Sequence, residues 1–120
     1  MREFKRFEDP FVNSPCGLVA LAFAELYPGK EYDAQIVDDI VDEDGAQVCG
    51  CTTIPTDPAE RPLVEISGQI RVVDLPEILA HELAHVATDF PEDDHGTEFE
   101  AAFEAIHAKY DELADKYLGK

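Results

Sequence analysis

The stretch that decides the architecture is DLPEILAHELAHVAT, residues 74–88. Its apolar positions recur at helical spacing. Asp74 stands as an N-cap with Glu77 three residues on, the reciprocal capping-box arrangement, and Pro76 falls in the first turn. In that helix His81 and His85 are four apart, so their imidazoles project from one face, about 40° apart around the axis and one turn apart along it. Two imidazoles so placed can share one Zn²⁺ at about 2.0–2.1 Å each. Glu82, about 100° round from His81, is set to reach a water on the metal rather than the metal itself. Zinc lowers the pKa of such a water to near 7. The carboxylate can then take the proton as the water attacks a carbonyl, and pass it to a leaving amine. These residues point to a hydrolytic zinc centre. The competing reading is two surface histidines beside a solvated glutamate.

A catalytic zinc normally takes three protein ligands and keeps a fourth position open. His95 is the leading third ligand. It follows a break at Phe90-Pro91 and stands at the mouth of a last helix beginning between Asp94 and Thr97. With a start at Asp94, His95 falls about 40° from Phe99. Phe99 opens the clearest amphipathic stripe in the chain: Phe99, Ala102, Phe103, Ile106, Tyr110, Leu113 and Tyr117. Glu98, on the flank of that stripe, and Cys51, upstream, are rival ligands. The Cys option is the one peptide deformylases use, but their other signatures are missing here. His107 at the edge of the stripe and Tyr110 nearer its centre could also line the site. They read more simply as a half-exposed surface residue and a core residue.

Outward from the motif, Ser14 and Pro15 cap and open a helix over 16–27, which Pro28-Gly29 closes. It is apolar almost all round, with Glu25 its only charge, so burial on several sides is expected. Residues 32–38 alternate imperfectly as a strand, Asp44-Gly45 signals a turn, and 46–54 reads as a second strand. Pro55 and Pro58 mark a loop. Residues 63–66 form a short third strand, which Pro62 at its start and Gly68 just after it suit to an edge. The order is helix, three strands, helix, helix: one α+β domain spanning 1–120.

The chain has 27 acidic and 9 basic residues, a net charge of −18. Phosphate backbones repel such a protein, which argues against general nucleic-acid binding. The charge could favour basic peptides as substrates or partners; the simpler reading is a solvated acidic surface for solubility or life at high salt. Three Cys without an export signal suggest reduced thiols. No apolar run approaches the roughly 18 residues of a membrane span. The opening residues 1–9 carry charges with no apolar stretch behind them, so a cytoplasmic location is expected.

HELAH followed about ten residues later by His95-Gly96-Thr97-Glu98-Phe99 resembles the SprT-like zinc metallopeptidases and their minimal relatives, whose pattern is HExxH and then HGxxF. The resemblance covers roughly residues 62–106. It implies a zincin-like fold: a buried N-terminal helix, a small three-stranded twisted sheet, an active-site helix and a C-terminal helix that brings the third ligand. It also implies one Zn²⁺ per chain on His81, His85 and His95, with Glu82 as general base. An extended peptide or protein substrate would lie along the sheet edge, matched to the strand at 63–66. The chain lacks the Cys-rich zinc ribbon and the basic segment of members that act on DNA-bound proteins. With glutamate-ligand minigluzincins the likeness is in size and element order only. Two other functions stay open. One is a non-enzymatic module that keeps zinc for structure and binds a basic partner, where Glu82 would have no task. The other is an acidic decoy mimicking DNA charge, which needs carboxylates arrayed on one surface.

Overall fold

Residues 14–89 and 95–118 are described by a computed structural model. They form an α+β arrangement of three helices and a small mixed sheet, in the order α1 (Pro15–Leu26), β1 (Asp33–Val37), β2 (Gly50–Thr53), β3 (Leu63–Ser67), a 3₁₀ turn (Val72–Asp74), α2 (Leu75–Thr88) and α3 (Thr97–Leu118). The Phe90-Pro91 break, the alternative helix start at Asp94 and the opening residues 1–9 lie outside the described residues.

Helix α1 starts as its sequence predicts: Ser14 Oγ accepts the Gly17 N–H at 3.0 Å and Pro15 takes the first helical position. Its burial differs from expectation. Only Leu18, Val19, Ala22 and Phe23 are buried, while Leu21 and Leu26 are exposed. An apolar circumference does not by itself obtain partners on every side, and among the described elements α1 packs on α2 and α3. The enclosed helix is α2, against which α1, α3, β2 and β3 all pack. From Leu79 to Val86 every residue except His81 is buried.

The capping box at Asp74 does not form. Asp74 closes the 3₁₀ turn in helical backbone (φ −88°, ψ −11°) and gives no side-chain cap; an N-cap side chain reaches the helix amides from extended backbone. Its carboxylate instead accepts from Arg71 Nε at 2.9 Å and Nη2 at 3.3 Å. At the other end Thr88 Oγ1 donates to the Ala84 carbonyl at 2.9 Å, and Asp89 turns left-handed at φ 56° to stop the helix.

The sheet order is β1-β3-β2, with β3 parallel to β1 and antiparallel to β2. The expected edge strand at 63–66 is therefore the central one. Pro62 does not prevent this, because it sits just before the ladder and contributes only its carbonyl, which accepts the Asp33 N–H at 2.9 Å. The second strand is shorter than 46–54: only 50–53 pair with β3, and Val41 and Gln47 form an isolated bridge upstream. Among the described elements strand β1 packs on β3 and on no helix, and Ile36 is 66 % exposed. Val64 and Ile66 of β3 join Val19, Phe23, Leu83, Phe99 and Ile106 in the main core.

On α3 the stripe is buried at Phe99, Ala102, Ile106 and Leu113, half-buried at Phe103 and Tyr110, and exposed at Tyr117. Ala114 joins the buried set. Among the described residues no helix is long and apolar enough to cross a membrane.

Candidate metal centre

His81 and His85 stand one turn apart on α2, His85 fully buried and His81 partly open. Their ring centroids are 5.3 Å apart. The His95 ring comes to 5.2 Å from that of His81 and 5.0 Å from that of His85. One ligand nitrogen from each of the three lies within 4.8 Å of the other two. Among the described residues this is the one cluster of potential metal donors of that kind.

His95 does not belong to α3, which begins two residues later at Thr97. It sits in the connection just before the helix and is itself exposed. Its position follows from what comes next. The Gly96 carbonyl accepts the Glu100 N–H at 3.0 Å, opening α3. Phe99, one turn in, then packs into α2 with its ring 4.5 Å from His85, 4.8 Å from His95 and 5.0 Å from His81. A single buried phenyl thus forms an apolar wall common to all three imidazoles, and Phe103 extends it at 5.9 Å from His81.

The donor set fits a metal. Three imidazoles converging from two segments suit zinc and its neighbours in the first transition row, and three protein ligands are the number a catalytic zinc ordinarily takes. The rival ligands are placed elsewhere. Glu98 is exposed and outside the cluster. Cys51 alternates with Thr52 along β2 and so lies on the opposite face of the sheet, beside Glu65 of the neighbouring strand. His107 is a surface residue 3.4 Å from Asp111. Tyr110 packs between the two apolar clusters.

Glu82 is 2 % exposed, and strand β2 seats it. Thr52 Oγ1 lies 2.7 Å from Glu82 Oε1 and 3.1 Å from the Glu82 carbonyl, two acceptors for one hydroxyl proton. Gly50 makes the close approach possible: a Cβ there would stand 2.9 Å from Glu82 Oε2, 3.1 Å from Cγ and 3.2 Å from Cδ. Neither Gly50 nor Thr52 stands out in the sequence as a site residue. The only signal was period-2 alternation, which puts both on one face of β2, and nothing local says that this face meets α2.

His81 and Glu82 form one wall of a cleft of about 660 Å³. Val48 and Gly50 stand on the β2 side, Gln69 and Ile70 beyond β3, and Ile78 and Phe103 on the helices. Of the two edge strands, β2 is thus the one beside the cleft.

Protein-family models, curated proteins and solved structures were all compared with this chain, and none matches it.

Proposed function

We propose that this chain is a zincin-like, zinc-dependent hydrolase acting on peptide bonds. One observation carries the reading. A buried carboxylate, Glu82, stands at the wall of the cleft next to the three-histidine cluster, yet is tied to Thr52 rather than placed among the metal donors. A metal kept only for structure would be closed by a fourth protein ligand and would have no use for such a group. Zn²⁺ held by His81, His85 and His95 would supply Lewis acidity and lower the pKa of a water to near 7.

The chain's own residues provide the rest. Glu82 takes a proton from the attacking water and returns it to the leaving amine. Thr52 holds Oε1, so the carboxylate keeps one rotamer, with Oε2 against Gly50 at the cleft wall. Phe99 gives the histidines a buried apolar wall, and Phe103 carries it on to the cleft. An extended substrate would pair with the outer edge of β2, not with β3, whose two edges are both taken.

The test is Glu82→Gln in metal-loaded protein, with metal content by elemental analysis and turnover of a quenched-fluorescence peptide library. The variant should keep one zinc per chain and lose turnover by about 10²–10⁴-fold. Loss of metal with the substitution, or unchanged turnover, rejects the role. A wild-type protein that binds zinc but cleaves nothing leaves the structural-zinc function instead.

A further inference from the structure

We infer that the cleft carries a subsite for a basic side chain of the substrate, with the Glu77 carboxylate as its selecting group. This rests on the peptidase reading and names its substrate class. Glu77 precedes His81 by four residues, so the two share a face of α2 about 6 Å apart along the axis. Both line the same cleft. That span is comparable with the reach of a Lys or Arg side chain from a backbone whose carbonyl sits at the histidines.

The walls along the span have matching chemistry. Ile78 and Ile70 are half-buried apolar residues lining the same cleft, suited to an aliphatic stem, and Gln69 adds a neutral hydrogen-bonding group to its lining. Two carboxylates also line the cleft, Asp74 half-buried and Glu77 exposed at its open side. Asp74 is already matched by Arg71 through two hydrogen bonds. Glu77 makes no ion pair with any described residue, and among the described residues no Lys or Arg lines the cleft. A bound ammonium or guanidinium would thus supply the missing counter-charge to Glu77. An acidic side chain in the same place would meet two carboxylates.

The net charge of −18 also attracts cations, but diffusely and with strong salt screening. Changing one charge of that field alters it little, whereas removing a subsite carboxylate removes the contact. Glu77→Gln separates the two sources. The probes are blocked pentapeptides identical except for Arg, Leu or Glu at the residue flanking the scissile bond, at 0.15 M salt. Wild-type protein should cleave the Arg peptide best. Glu77→Gln should lower the Arg-to-Leu ratio of kcat/KM roughly tenfold, the scale of one hydrogen bond to a charged group, and Glu77→Lys should move the preference to the Glu peptide. A second readout needs no turnover: in amide NMR of the metal-free chain the Arg peptide should shift Gln69, Ile70, Glu77 and Ile78, and the Leu peptide should shift them less. An Arg preference that survives Glu77→Gln overturns the subsite and leaves the diffuse field as its cause. Cleavage with no Arg preference also overturns it while sparing the peptidase reading. Arg-specific shifts at Glu77 without cleavage of any peptide support the subsite and overturn the peptidase reading.

Discussion

Replacing Gly50 with Ala should destabilise the protein, and the sign is diagnostic. Gly50 has no positive φ, so the backbone accepts Ala. In the absence of a clash the substitution would stabilise by about 0.4–1 kcal/mol through the unfolded chain. The structure puts the new methyl 2.9 Å from Glu82 Oε2 and within 3.2 Å of Cγ and Cδ, closer than carbon and oxygen tolerate. Two responses are open. If Glu82 stays, overpacking costs about 1–3 kcal/mol. If it swings into the cleft, the 2.7 Å bond from Thr52 is lost, which for a carboxylate acceptor is worth about 1–3 kcal/mol. After the unfolded-state gain the net is a loss of about 1–2 kcal/mol, or roughly 4–8 °C in Tm for a chain of this size. Thermal and urea unfolding of the metal-free chain would measure it. The control is the same substitution in a Glu82→Ala background, where the clash partner is gone and the penalty should vanish or change sign. A Gly50→Ala protein as stable as wild type would refute the seating of Glu82 against β2.

Two further outcomes are expected. His95→Ala should weaken zinc binding by orders of magnitude while unfolding of the metal-free chain changes little, because His95 is exposed and lies before α3; Glu98→Ala and Cys51→Ser should leave zinc affinity alone, as isothermal titration would show. The chain should not bind duplex DNA at physiological salt, given its −18 charge; sub-micromolar, salt-sensitive retardation in a mobility-shift assay would contradict this.

Local chemistry made several features legible in the sequence. The Ser14-Pro15 start of α1, the run of α2 to Thr88 and the buried stripe from Phe99 to Leu113 all depend on neighbours within a turn or two, and such neighbours are written in the chain. The pairing of His81 with His85 on one face follows from helix geometry alone. Features that needed a distant partner were not legible. Leu63–Ser67 reads as an edge strand by its flanking Pro and Gly, but its place between β1 and β2 depends on both of those strands pairing with it. Helix α1 is as apolar as a buried helix and still lies in the outer layer, because α2 occupies the centre. Asp74 is capable of capping α2, but the 3₁₀ turn gave its carboxylate to Arg71. His95 reaches the other two histidines through the packing of Phe99, not through a helical position of its own. The sequence by itself thus determined the helices and the two histidines on α2. His95 was already legible as the leading third ligand, but tertiary packing decided that its ring meets the other two, and tertiary packing alone seated Glu82 on Thr52 and Gly50, because that contact joins segments 30 residues apart and no local preference encodes it.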